Sequence, residues 1–238
     1  VTLAIKHSSE RVCWTRMQAE AGEGLSRILK RKDLERRAGG GLFFWGVGNA
    51  PARAIPALVR AAANVDVLFS VMKSRPKAHD VTPSRVLAWQ SFVDADGVVR
   101  PIPDHVLVTS RAGSRDFHYA LVCRSCGPLH VADEGPFDPT AFRNYGAGGA
   151  VGASQVTALL ERCAPDRNSD YRVAMRAQLT GGFWVKLVDG VELSGTARKM
   201  LDEEPADEAA WLDLVHHIRS QGRPLTIARA VQPALFAI

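Results

Sequence analysis

The stretch Leu42-Phe43-Phe44-Trp45-Gly46-Val47-Gly48-Asn49 decides how the rest of this chain reads. It is apolar, aromatic and short, the pattern of a buried strand, and the turn residues Asn49-Ala50-Pro51 close it. Just upstream, Leu25, Ile28 and Leu29 fall at helical spacing, and Arg27, Lys30, Arg31, Lys32, Arg36 and Arg37 cover the other sides until Gly39-Gly40-Gly41. That pattern predicts a basic amphipathic helix feeding the strand. Just downstream, Pro51 suits a first helical turn, and Ile55, Leu58, Val59 and Ala62 mark one face of a second helix, with Arg53 and Arg60 on another.

Further out, short runs rich in strand formers occur at 11–17, 65–70, 85–93, 106–109 and 118–122, and Asp96-Gly97 forms a tight turn into Val98-Val99. The expectation is a small mixed sheet with two helices inserted early. The Gly-rich run 146–152 marks a boundary. Beyond it a second unit is expected. Its parts are a helix with Val156, Leu159, Leu160 and Cys163 on one face, a hairpin of 184–188 with 191–193 across Asp189-Gly190, and a helix using Trp211, Leu214, Val215 and Ile218. The expected fold class is α+β, with domains at 1–145 and 146–238.

The composition is that of an ordinary globular chain: 238 residues, 46% hydrophobic and 23% charged, which excludes fibrous and disordered classes. No run approaches the roughly 20 apolar residues of a membrane helix and no signal-peptide layout is present, so a cytoplasmic protein without membrane contact is expected. Four scattered cysteines, Cys13, Cys123, Cys126 and Cys163, fit free thiols in a reducing compartment. The net charge of +5 is uneven. Residues 1–120 carry 18 Lys and Arg against 11 Asp and Glu, while residues 121–238 carry 12 against 14. Positive charge gathered in one half suits either a polyanion partner or a solvated basic face.

Aromatic rings beside this charge suit a nucleobase, because stacking contributes roughly 1–3 kcal/mol per base while cations hold phosphates. The run Phe44-Trp45-Gly46-Val47-Gly48-Asn49-Ala50-Pro51-Ala52-Arg53 resembles the EVE-domain signature, Trp, any residue, Gly-Val-Arg-Asn, any residue, Gln-Ala-Arg. Gly46, Val47, Asn49, Ala52 and Arg53 match it; Phe44, Gly48 and Pro51 stand where the signature has Trp, Arg and Gln. The strand Asp66-Val67-Leu68-Phe69-Ser70 is similar to one in EVE and in the related YTH domains. The resemblance covers roughly residues 11–122. It implies a PUA-like mixed β-barrel of the EVE/YTH type, extended by the smaller C-terminal α+β unit. It also implies reading of a modified base in an aromatic cage, in bacteria commonly within defence or modification systems.

Within that frame Trp14, Trp45 and Trp89 are the cage candidates, with Phe44 and Gly46 beside them. Asn49 and Ser70 are candidates for bonding the base edge. Lys30, Arg31, Arg53, Lys73, Arg75, Lys77 and Arg111 are the candidate phosphate holders. In duplex DNA the base must be flipped out at a cost of a few kcal/mol, and the basic loop 73–80 is placed to offset it. The expected function is therefore non-catalytic binding of nucleic acid, DNA rather than RNA, with a homodimer or a nuclease as compatible partners.

Enzyme chemistry finds less support. His118, Cys123, Cys126 and His130 are four potential zinc ligands within thirteen residues, but their spacing fits no usual framework, so no metal and no cofactor are expected. Nucleophile elbows, phosphate loops and His-Glu-x-x-His motifs are missing, leaving no catalytic residue to name. Asp94 and Asp96 belong to a turn. The alternatives are a metal-dependent enzyme acting on a nucleotide or small molecule, and a protein-interaction module whose aromatics are all core.

Overall fold

The computed structural model describes residues 11–17, 25–48, 65–72, 86–94, 96–111, 117–129, 136–152, 157–165, 167, 169–221 and 223–226. The basic helix forms as α1 (Leu25–Ala38), burying Ile28, Leu29 and Leu34. The three glycines stop it by geometry: Gly40 and Gly41 have φ of 62° and 96°, a region costly for any residue with a Cβ. Gly41 N–H then returns to the Arg36 carbonyl at 2.8 Å.

The chain leaves directly into β2 (Leu42–Gly48), and the joint is held by Glu35, which is fully buried. One Glu35 oxygen accepts from the Phe44 N–H at 2.6 Å and the other from Lys32 Nζ at 2.8 Å. A charge this deep is tolerable because both oxygens are occupied.

The remaining elements are β1 (Arg11–Arg16), β3 (Val65–Met72), β4 (Val86–Val93), β5 (Val99–Pro101), β6 (Val108–Arg111), β7 (Phe117–Arg124), β8 (Phe142–Asn144), β9 (Thr157–Arg162), β10 (Tyr171–Glu192), α2 (Gly195–Asp202), α3 (Glu208–Gln221) and β11 (Arg223–Thr226). The fold is mixed α+β and mostly strand. Its hydrogen-bonded order, β2-β7-β10-β3-β1-β9-β8, is open at both ends, so the described strands do not close into the expected barrel.

β10 is the spine. Residues 178 and 179 pair with both β3 and β7, residue 186 with both β7 and β4, and residues 189–192 with both β4 and β11. One edge of β10 therefore carries β3 and then β4, and the other carries β7 and then β11. Bulges interrupt it at 173/175, 179/181 and 187–190, and bulges bend strands.

β10 folds the sheet over on itself between residues 175 and 182, a stretch interrupted by the bulge at 179/181. Trp45 lies opposite Leu121 and thus Gly182, whereas Phe69 lies opposite Met175, on the order of 20 Å back along an extended strand. Their ring centroids are nevertheless 4.7 Å apart. Gly182 is required at the fold: a Cβ there would sit 2.7 Å from Tyr119 Oη. The folded sheet encloses a core of Cys13, Phe43, Val67, Phe69, Leu121 and Met175, among others. Its outer faces are covered by two further clusters, one around Trp14 and Phe137 and one around Trp89 and Phe92. A fourth cluster joins Leu34 to Trp211, Leu214 and Ile218 of α3.

Three expectations are corrected. The predicted helix around 156–163 is β9, because Leu159 and Leu160 serve cores on opposite faces and a strand buried on both sides mimics helical spacing. The predicted hairpin across Asp189-Gly190 is continuous β10, since Gly190 is paired on both edges, with Trp89 and Leu225. The division at 146–152 does not separate two units, because β9 and β10 lie inside the same sheet as β1, β3 and β7. The basic helix and the helix carrying Trp211 form as expected; the helix expected after Pro51 lies outside the described residues. Among the described residues no helix is long and apolar enough to cross a membrane.

Candidate functional site

Strand alternation divides the aromatic run of β2. Phe43 and Val47 are buried in the inner core, where Trp45 packs edge-on to Phe69 with planes at 70° and keeps part of its surface open. Phe44 lies half-buried against the cluster of Leu87, Trp89 and Phe92. Gly46 is exposed, and no atom lies within 4 Å of the position its Cβ would take.

The other two indoles are corrected to core residues. Trp14 is 1% exposed, lies 5.8 Å from the Phe137 ring and donates Nε1–H to Ser70 Oγ at 2.7 Å. A buried indole needs such a partner, and Ser70, itself fully buried, is committed to it rather than to a base edge. Trp89 is 2% exposed and lies against Gly190, where a Cβ would come within 3.1 Å of the ring. Trp14, Trp45 and Trp89 belong to three different clusters and do not assemble into one cage.

The cations of α1 turn inward to this chain. Arg27 pairs with Asp202 at 2.6 Å, Arg37 with Glu208 at 3.3 Å, and Lys30 with Glu204. Arg36 reaches Asp33 at 2.9 Å, and Asp33 also accepts the Leu129 N–H at 2.7 Å. Arg31 is only 9% exposed and donates Nη1–H to the Leu107 carbonyl at 2.8 Å. Three cations of α1, Arg27, Lys30 and Arg37, thus meet acidic residues of the C-terminal half. Of the other expected phosphate holders, Arg53, Lys73, Arg75 and Lys77 lie outside the described residues, as does Asn49. Arg111 is described only as backbone, paired with Val86.

Between α1 and the corner joining α2 to α3 lies a cleft of about 370 Å³, lined by Arg27, Lys30, Arg31, Arg37, Asp33 and Glu204 above a floor of Leu34, Leu129 and Trp211. Sequence reasoning missed this cleft. Its far wall is set by Glu204, which follows the α2 cap Glu203 and is the only described non-glycine residue with positive φ, 56°. Left-handed backbone costs an ordinary residue about 1–2 kcal/mol, and an exposed ion pair returns about 0–1 kcal/mol. Glycine would suit the corner better. The helix α3 is secured near its start by Trp211, whose Nε1–H goes to the His105 carbonyl at 2.8 Å, and in its last turn by Arg219, which donates to the carbonyls of Ile102, Pro103 and Val106.

The thiols lack nucleophilic character where they are buried. Burial pushes the Cys13 thiol up to about 12, and Cys123 is raised well above the ordinary thiol value for the same reason. Cys126 is exposed, and the described residues contain no group of three or more His, Cys, Asp or Glu placed to hold a metal ion. Asp94 lies below the usual carboxylate range because the Arg100 guanidinium and the Val98 and Asp96 N–H groups bond to it, a turn arrangement.

Comparison with protein-family models, curated proteins and solved structures finds no match to this chain. The functional reading therefore rests on its own residues.

Proposed function

We propose that the protein binds nucleic acid, receiving one base, in modified DNA for preference, against Trp45. The observation that carries this reading is the state of that one ring. Of the three indoles expected at the site it alone keeps accessible surface, and its edge-on seat against buried Phe69 fixes its orientation before any ligand arrives. A fixed aromatic surface binds a base without losing rotamer freedom. The likeness of β2 and β3 to strands of EVE and YTH domains supports a PUA-like ancestry for this part of the sheet. In this proposal Asn49 and Arg53, next along the chain, supply the polar edge and a phosphate contact, and Lys73, Arg75 and Lys77 hold the backbone.

The test is a series of oligonucleotides differing only in one modified base, titrated into parent and Trp45→Ala protein at two salt concentrations. Stacking of roughly 1–3 kcal/mol corresponds to a loss of about 5-fold to 150-fold in affinity on removing the ring. Equal affinity of parent and variant removes Trp45 from the site, and with it this function.

A further inference from the structure

The α1 cleft poses a question that base stacking does not answer. Its lining carries four cationic side chains, Arg27, Lys30, Arg31 and Arg37, of which Arg27 and Arg37 pair with Asp202 and Glu208 just outside it, against two carboxylates. One of those, Asp33, is already occupied by the Leu129 N–H and by Arg36. The other, Glu204, reaches across from the opposite wall to Lys30. It does so from left-handed backbone, at a position following a helix cap where glycine is the unstrained choice. A residue that breaks a local rule in order to set a carboxylate at the mouth of a cationic cleft marks the spot at which an anion is wanted. At about 370 Å³ the cleft has the size of a small-molecule site; Leu34 and Trp211 are buried at its floor, and Leu201, Pro205 and Ala206 line it beside the charged groups.

We propose that this cleft binds a small phosphomonoester dianion, and that Glu204 is an internal competitor holding the phosphate position on Lys30 until the ligand displaces it. A phosphomonoester suits the site better than a carboxylate because its three terminal oxygens can bond Lys30, released from Glu204, and also reach Arg27, one turn earlier on α1 and paired with Asp202. Lys30 and Arg27 are the solvent-exposed cations at the rim, with side chains 59% and 44% exposed, Lys30 paired with Glu204 and Arg27 with Asp202. Displaced, Glu204 swings into solvent on the exposed α2–α3 corner without disturbing the buried Trp211 beneath.

The experiment titrates the full chain at low salt, by calorimetry, with inorganic phosphate, with glycerol phosphate and with a short unmodified oligonucleotide. The parent is expected to bind glycerol phosphate weakly and Glu204→Gly at least tenfold more tightly, since the competitor is gone. Lys30→Gln loses binding in both backgrounds and Lys30→Arg keeps it. Trp45→Ala leaves phosphate affinity unchanged, which separates this inference from the base-binding reading. The inference is overturned by a Glu204→Gly protein that binds no phosphomonoester, by binding indifferent to Lys30→Gln, or by a gain seen with the oligonucleotide alone. Should Lys30→Gln fail to fold, Arg27→Gln at the rim takes its place, and unchanged affinity there is equally fatal.

Discussion

The helix α1 and the strand β2 are adjacent in sequence, and each is the extreme of its kind in this chain, one basic and one aromatic. They meet opposite fates. The charges of α1 find partners within the molecule, at Asp202, Glu204, Glu208 and the Leu107 carbonyl, whereas β2 keeps part of an indole at the surface. Residue type announces that an interaction will be made; the partner is decided by what the fold brings opposite.

The strongest way to break that contrast is at Glu35, which ties the two elements together. Glu35→Ala leaves Lys32 buried without its carboxylate and the Phe44 N–H without its acceptor, so a loss of about 3–5 kcal/mol in urea unfolding is expected. A change under 1 kcal/mol would show that helix and strand are held by apolar packing alone. Next in size is Trp14→Phe, which removes the bond to Ser70 at an expected cost of about 1–3 kcal/mol and leaves oligonucleotide affinity unchanged. Loss of affinity there would return Trp14 to the binding site.

Cys13 sharpens the comparison through pH. Its folded thiol is raised to about 12 from an ordinary value of 9.0, so its contribution to stability is complete below pH 9 and is lost as pH climbs toward 12. The loss runs at about 1.4 kcal/mol per pH unit in that window, and Cys13→Ala should flatten the alkaline limb of stability against pH. The smallest effect belongs to the rim. Exchanging the charges of Arg27 and Asp202 together should restore nearly parent stability, with a coupling energy below about 1 kcal/mol that shrinks in salt.

Much of the fold is legible in the sequence where an element buries one face and punctuates its ends. α1 announces itself through Ile28, Leu29 and the glycine stop, and α3 through Trp211, Leu214, Val215 and Ile218. Legibility fails where both faces or both edges are covered. Leu159 and Leu160 point to different cores, and Asp189-Gly190 mimics a turn although strands pair on each side of it. The site is harder to read than the fold. Whether Trp14 or Trp89 is open depends on residues far along the chain, Phe137 and Phe142 over Trp14 and Val185, Leu187 and Gly190 against Trp89. The partners of Arg27 and Lys30 come from 175 and 174 residues away, and no window along the chain connects them.

The length of β10 bears on how the protein is born. Among the described residues β3 and β7 each gain their inner neighbour from residues 171–186, so in a nascent chain leaving the ribosome those edges wait for that segment to emerge. At a synthesis rate of about 5–20 residues per second, β3 waits roughly 5 to 20 s for its partner. Throughout that interval an open strand edge is a template for edge-to-edge association, which the chain's net charge of +5 opposes.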